Sequence, residues 1–262
     1  MTSLDLEAFP PQALAMRLNN RGALCIETGR FDRAISTLVR ALRLSEQAVD
    51  ETICTCNHCS LDECMSISNS PPQRRHLEES NLCGPCQTDN TEPGGAGDLG
   101  LRPFKRSRVE EHSTSEGFVY QRPIRISPQS MLRGHSPGVT LSLIIIFNLG
   151  LAHHLSAIQQ HNNCKRRLQK ALQLYELAYQ LQLEELEMSS LRFTIIMANN
   201  LSQIHRVVEN HSKYQMCLEH LLSTLMYLVD CRVVVAEQLA QMDGFFENAS
   251  QLILKDRCAG AA

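Results

Sequence analysis

The sequence predicts an all-α protein whose helical parts are separated by a long insertion. Apolar residues recur at helical spacing through residues 1–50 and again through residues 139–256. The stretch between them, residues 51–138, holds eight of the ten prolines, eight of the thirteen glycines and six of the eleven cysteines. Fragments such as SNSPPQRR and TEPGGAGDLG are incompatible with helices or strands. We therefore predict that the insertion is largely disordered.

The first helical part, residues 1–50, predicts a helical hairpin. Two runs with helical periodicity, Ala13–Ile26 and Phe31–Leu44, flank the turn sequence TGRFD. Gly29 in that turn can adopt the left-handed backbone conformation that ends many helices. Gly22 lies within the first helix, where glycine costs about 1 kcal/mol relative to alanine. A glycine kept at that cost indicates a close approach between the two helices.

This hairpin resembles a tetratricopeptide repeat, in which small residues recur at set positions of both helices. The tryptophan common in that family is missing here, as is the proline that usually ends a unit. The alternative is an irregular helical bundle whose glycines and alanines match by accident. The matching positions are Gly22, Ala34, Leu38 and Ala41.

Residues 139–230 resemble two further copies of the repeat. In the second copy, Gly150 aligns with Gly22 and Asn148 with Asn20, although the connection to the second helix is longer. In the weaker third copy, Asn200 aligns with Asn20. The second helices would then place small, large and small residues at equivalent positions, which are Ala171, Tyr175 and Ala178 in one copy and Cys217, Leu221 and Thr224 in the other, with Tyr214 aligned to Phe31.

Residues 231–262 predict a closing helix and tail, with a break near Gly244. A stack of repeats needs such a cap because its last unit has no neighbour to cover its apolar face. The resemblance as a whole implies an α-solenoid of helix–turn–helix (TPR-like) hairpins.

The most apolar stretch, SLIIIFNLGLAHH, raises the question of a membrane span. About fourteen mostly apolar residues run from Val139 to Ala152, before His153 and His154. A span needs roughly twenty residues. We therefore expect a buried helix and no membrane span.

The resemblance implies a function, because tetratricopeptide repeats bind peptides or partner helices in a concave groove. We expect a scaffold or adaptor that binds a protein or peptide partner. An asparagine recurs at equivalent positions, and its amide can both donate to and accept from a peptide backbone. Alternatively, these amides bond neighbouring helices. The implied groove positions are Asn19, Asn20, Ala23, Phe147, Asn148, Leu151, Asn199, Asn200 and Gln203.

Co-chaperones of this family hold the acidic tail of large chaperones with lysine and arginine around one asparagine. Asn148 matches that asparagine, but Asn19, Ala23, Ile196 and Asn200 occupy the cationic positions. A carboxylate pair would be poorly held without those charges. We predict no binding of such tails and favour an amphipathic or apolar segment.

The insertion suggests a second function, in zinc-dependent regulation or association with nucleic acid. Two C-x-x-C pairs, Cys56/Cys59 and Cys83/Cys86, are a candidate tetrahedral zinc site. Their separation exceeds the usual zinc-ribbon spacing, and the flanks lack the pattern of strands. Cysteines in a disordered segment are the alternative.

Near the end of the insertion, FVYQRPIRIS alternates apolar and polar side chains as an extended strand does. A lone strand has no sheet partner in a helical protein. We hypothesise that residues 118–127 dock along the helices, in the groove itself.

Composition and motifs narrow the remaining function classes. The formal net charge is −3, so no global field directs the chain to nucleic acid or to an anionic membrane. The sequence has no phosphate-binding loop, G-x-S-x-G or H-E-x-x-H motif, so we expect no enzymatic activity. No secretory signal is evident, so we expect an intracellular protein, cytoplasmic rather than nuclear.

Overall fold

The computed structural model describes residues 10–48, 61, 117–126, 138–159, 164–185, 190–231 and 242–259. They all belong to a compact unit formed by residues 1–70 and 117–262, and a second unit, residues 71–116, lies outside the described residues. The all-α prediction is confirmed for the described residues, which contain helices and no strand. The helices are α1 (Pro11–Glu27), α2 (Phe31–Ala48), α3 (Gly138–Gln159), α4 (Cys164–Glu185), α5 (Leu191–Val207), α6 (His211–Asp230) and α7 (Asp243–Ala259).

Helices that follow one another in the chain pack together. The pairs α1/α2, α3/α4 and α5/α6 are in contact, as are the pairs α2/α3, α4/α5 and α6/α7 that join them. The glycines within α1 and α3 lie where the helices approach closely. A Cβ atom at Gly22 would lie 2.6 Å from the Leu38 side chain, and one at Gly150 would lie 2.9 Å from the Tyr175 ring. The two glycines therefore allow the same close packing in the first two hairpins.

The turn between α1 and α2 and the turn between α5 and α6 have the same backbone form. Gly29 follows α1 with a φ of +71°, and Glu209 follows α5 with a φ of +59°. Arg30 N donates to Cys25 O at 2.8 Å, and Asn210 N donates to His205 O at 2.9 Å. These bonds satisfy carbonyls that the helix end leaves free. Only the first turn has the glycine that this conformation favours.

This equivalence corrects the register predicted for α6. Because the two turns correspond, Tyr214, Leu218 and Leu221 occupy the positions of Ala34, Leu38 and Ala41. All three are buried, whereas Cys217 is only half-buried. The predicted alignment of Tyr214 with Phe31 was three residues out of register. That alignment placed Cys217 at the position equivalent to Ala34, which Tyr214 occupies in the structure.

Helix α3 is longer than the apolar run on which the sequence argument rested. Its segment Val139–Gln159 is 21 residues long, which is enough by length and composition to span a bilayer. Length alone therefore does not exclude a span, contrary to the sequence argument. In the most apolar window of this helix, 83% of the residues are buried inside the protein. Such burial is typical of a core helix.

The predicted insertion and cap are covered only in part. From the predicted insertion, residues 51–138, the structure describes residue 61, residues 117–126 and Gly138, at which α3 begins. Helix α7 begins at Asp243, next to the glycine at which a break was predicted, and it packs on α6 and α5. The longer connection in the second copy is taken up largely by helix, since α3 ends at Gln159 and α4 begins at Cys164.

Candidate peptide-binding site

Residues 117–126, here called the extended segment, form neither helix nor strand, yet most of their apolar side chains are buried. Side-chain amides from four helices, α1, α3, α5 and α7, bond to its backbone. An isolated stretch of buried backbone needs such partners, because an unpaired buried amide or carbonyl costs about 1–3 kcal/mol. Six asparagines supply these bonds, and we call them the asparagine ladder: Asn19, Asn20, Asn148, Asn199, Asn200 and Asn248.

The α1/α3 end of the ladder binds the C-terminal half of the segment. Asn20 accepts from Ile126 N and donates to Ile126 O, both at 2.8 Å. Asn148 likewise accepts from Ile124 N at 2.8 Å and donates to Ile124 O at 2.7 Å. Asn19 adds a second donor to Ile124 O at 3.2 Å. Each paired residue thus has its amide and its carbonyl satisfied by one side chain.

The α5/α7 end binds the N-terminal half in the same way. Asn200 accepts from Tyr120 N at 2.9 Å and donates to Tyr120 O at 3.1 Å. Asn248 accepts from Phe118 N at 3.0 Å and donates to Phe118 O at 2.7 Å. Asn199 adds a second donor to Phe118 O at 3.0 Å. The two ends therefore repeat one arrangement of three asparagines.

The geometry follows from the shape of extended chain and of the amide group. In an extended chain, the N–H and C=O of one residue point to the same edge, and alternate residues share that edge. An asparagine amide offers one acceptor and one donor side by side, so it pairs with a single residue. The segment runs antiparallel to the order of the helices. The four paired residues, from α7 to α1, are Phe118, Tyr120, Ile124 and Ile126.

Bonds between ladder residues fix the orientation of the amides. Asn148 Nδ2 donates to Asn19 Oδ1 at 2.9 Å, and Asn248 Nδ2 donates to Asn199 Oδ1 at 2.6 Å. Asn200 also donates to the Tyr175 hydroxyl at 3.3 Å. The recurring asparagines therefore bond neighbouring helices, as the alternative interpretation expected, and the same side chains bond the backbone of the chain's own extended segment. Amides held in this way lose little further freedom when they bind.

The side chains of the four paired residues are packed differently at the two ends. At the α5/α7 end, the Phe245 ring lies edge-on to Phe118 at 5.1 Å and stacks on Tyr120 at 6.0 Å, measured between ring centroids. At the α1/α3 end, Ile124 and Ile126 are buried in the aliphatic core. The backbone contacts are the same at both ends, but the α5/α7 end packs against aromatic side chains and the α1/α3 end packs against branched aliphatic ones.

Two glycines allow the close approach at the α7 end. A Cβ atom at Gly117 would lie 2.3 Å from Gln203 Oε1 and 2.8 Å from Asn248 Oδ1. A Cβ atom at Gly244, on α7, would lie 2.4 Å from the Phe118 ring. Neither space admits another residue without displacement of the ladder or the segment.

The electrostatics of the site are those of neutral amides and buried rings. Burial raises the pKa of the Tyr120 hydroxyl, and burial also raises the pKa of Tyr175, whose hydroxyl accepts from Asn200. Both tyrosines are therefore neutral over the physiological pH range. A charged contact occurs at the edge of the site, where Arg125 forms an ion pair with Glu27. Arg192 and Arg122 also act on Tyr120, and their charges oppose the effect of burial on its pKa.

Of the nine predicted groove residues, the five asparagines bond to the extended segment. Gln203 is buried beside Gly117, and its Oε1 atom bonds to no described residue. Phe147 is fully buried, with its ring 5.9 Å from Tyr175 and 5.4 Å from Phe193. Ala23 and Leu151 are fully buried in the helical core.

Sequence reasoning missed Asn248, which has the same role as the predicted asparagines. The closing helix was interpreted only as a cap, so its polar residues were not compared with the repeats. A signal was present, since Asn248–Gln251 reads NASQ where Asn200–Gln203 reads NLSQ. This shared pattern extends the ladder to α7.

The proposed zinc ligands, Cys56, Cys59, Cys83 and Cys86, lie outside the described residues, so that prediction stays untested. Within the part of the chain that the structure describes, no cluster of three or more histidine, cysteine or acidic residues could hold a metal ion. Outside the insertion, Cys25, Cys164, Cys217 and Cys231 are free thiols.

Comparison of this chain with protein-family models, with curated proteins and with solved structures found no match. The interpretation of the site therefore rests on its own geometry.

Proposed function

We propose that this protein is an interaction scaffold or adaptor that binds an extended segment of a partner protein along the asparagine ladder. One observation carries the proposal. Each of Asn20, Asn148, Asn200 and Asn248 satisfies both backbone groups of one residue in the extended segment. Contacts to the backbone are available from any peptide, as in the addition of a strand to a sheet edge.

We further propose that the helices form a solenoid of hairpins similar to tetratricopeptide repeats. The equivalent glycine contacts, Gly22 with Leu38 and Gly150 with Tyr175, support this proposal. The matching turns after α1 and α5 support it as well. In such a stack, the first helix of every hairpin presents its ladder residue to the same groove, and α7 continues the series.

Residues 117–126 of the chain act, in this proposal, as a built-in competitor for the partner. Eleven residues, 127–137, connect the segment to α3. A short connection gives a tethered ligand an effective concentration on the order of millimolar. A partner must therefore bind tightly, or reach the site when the segment is released. The ladder carries no cations, so the prediction that it does not bind acidic chaperone tails stands unchanged.

The test uses the full chain with residues 117–126 replaced by ten glycine and serine residues, here called the open variant. A fluorescent peptide of residues 117–126, GFVYQRPIRI, is titrated against it, with anisotropy as the readout. We expect saturable binding, and we expect Asn148→Ala with Asn200→Ala to weaken it by at least about tenfold. The exposed Gln215→Ala variant is the matched control. No binding to a folded open variant would contradict the proposal and make the segment a permanent part of the core.

A further inference from the structure

The hydrogen bonds of the ladder select alternate residues of the extended segment. The four paired residues lie at positions 118, 120, 124 and 126, and every one donates its amide hydrogen to an asparagine oxygen. Proline has no such hydrogen, so proline is excluded at these four positions. The segment does contain a proline, Pro123, which is buried and directly precedes the paired residue Ile124. Proline is thus accepted at a position out of phase with the ladder.

The same alternation governs side chains. The paired residues are all apolar or aromatic, and three of the four are buried. Among the other residues, Gln121 and Arg122 are exposed, and Arg125 is half-buried in its ion pair with Glu27. Three of the four buried residues of the segment are therefore at paired positions, and Pro123 is the fourth. Apolar burial contributes about 25 cal/mol per Å².

Position 117 has a steric requirement of its own. A Cβ atom there would lie 2.3 Å from Gln203 Oε1 and 2.8 Å from Asn248 Oδ1, and the Asn248 amide is held in place by its bonds to Phe118 and Asn199. The position directly before the first paired residue therefore requires glycine. The constriction lies at the α7 end of the ladder, so it places the glycine, and with it the N-terminus of the segment, at that end.

We infer that the site is specific for a sequence class: a ten-residue extended segment with glycine first, apolar residues at positions two, four, eight and ten, and no proline at those four. Its N-terminus lies at α7. Polar residues and proline are accepted at the positions out of phase. This inference rests on the proposed function, and it specifies the kind of partner segment that can displace residues 117–126.

The test compares synthetic forms of GFVYQRPIRI on the open variant. N-methylation at Tyr120 removes one paired amide hydrogen and keeps every side chain, whereas N-methylation at Gln121 removes an amide hydrogen out of phase. We expect the first to weaken binding at least about tenfold and the second less than about threefold. Gly117→Ala in the peptide should weaken binding by at least about tenfold, because the added Cβ would displace Asn248 Oδ1 from Phe118 N as well as Gln203.

A peptide of identical composition gives the control for side-chain phase. In it, Tyr120 exchanges places with Gln121 and Ile124 with Arg125, and we expect binding to be lost. If the unmodified peptide binds but both N-methylated peptides bind equally, the inference is overturned while the proposed function stands. If the unmodified peptide does not bind, the proposed function fails first. Should the open variant not fold, the full chain with Phe118→Ser and Ile124→Ser takes its place as a milder variant, and the same peptides are titrated against it.

Discussion

The two ends of the asparagine ladder have the same backbone contacts and different side-chain surroundings. At each end, three asparagines bond two residues of the extended segment and bond each other. The α1/α3 end encloses two isoleucines and an ion pair, whereas the α5/α7 end encloses two aromatic rings, Phe245 and a glycine constriction. The difference shows that separate groups contact the two parts of the segment: asparagines bond its backbone, whereas aromatic or aliphatic residues pack against its side chains.

The largest effect should come from removing one asparagine at either end. Asn148→Ala and Asn200→Ala each remove two bonds to the segment. The first leaves Ile124 N without its asparagine, while Ile124 O keeps Asn19, and the second removes the asparagine from both backbone groups of Tyr120. We expect each to lower the free energy of unfolding by about 2–4 kcal/mol. Urea denaturation measures both. A loss at both sites, larger for Asn200→Ala, would support equivalent ends, and a loss at only one site would contradict that equivalence.

Acid should destabilise the protein through two histidines of α3, His153 and His154. Burial lowers the pKa of His154 to about 4 from 6.5, and burial followed by Arg167 lowers that of His153 to about 4. The unfolded chain therefore binds more protons between pH 6.5 and pH 4, so stability falls as pH falls through that window. We expect the titration of His154 alone to lower the free energy of unfolding by about 2 kcal/mol at pH 5.

Thermal denaturation between pH 8 and pH 5 measures this dependence. His154→Phe keeps a ring beside Tyr175 and removes the titrating group, so its melting temperature should fall less steeply with acid than that of the wild type. The difference between the two melting temperatures at pH 8 gives the effect of the substitution itself on stability. Identical slopes for the two proteins would rule out His154 as the source.

A smaller effect, of opposite sign in the two hairpins, is expected at the equivalent turns. Gly29→Ala places a side chain at a φ of +71° and should lower the free energy of unfolding by about 1 kcal/mol. Glu209→Gly removes a side chain from a φ of +59° and should raise the free energy of unfolding by about 1 kcal/mol. Melting temperatures report both changes. Two shifts of the same sign would contradict the equivalence of the turns.

The smallest effect is expected at the ion pair between Arg125 and Glu27. Both side chains are more than a third exposed, at 37% and 40%, so solvent screens the attraction. Arg125→Gln should change stability by less than about 0.5 kcal/mol. A chemical denaturation curve in low salt is the most sensitive measurement. A loss as large as that of an asparagine would show that the α1/α3 end depends on charge.

The sequence predicted the helices and much of the ladder, because both depend on local patterns. Helical periodicity placed α1 and α2 to within a few residues, and the recurring asparagine marked α1, α3 and α5. The register of α6 was misjudged because Tyr214 and Cys217 both fit a buried position, and only packing against α5 decides between them. Asn248 was missed because α7 lacks the hairpin that identified the other copies.

The contacts of the segment required three-dimensional information. Alternation in FVYQRPIRI indicated an extended chain, but no sequence signal gives the pairing of Asn20 with Ile126, which are 106 residues apart. The constriction at Gly117 depends on Gln203, 86 positions further along the chain. Such pairings follow from the stacking of the helices rather than from local propensity.

The central claim is that asparagines bind the backbone of every paired residue in the extended segment. Amide hydrogen exchange of the full chain, resolved by residue with NMR, tests it most directly. We expect slow amide exchange at the four paired residues, Phe118, Tyr120, Ile124 and Ile126, and faster exchange at Val119 and Gln121. In Asn200→Ala, we expect Tyr120 alone to lose its protection. Uniform exchange along the segment, or Tyr120 protection that persists without Asn200, would contradict it.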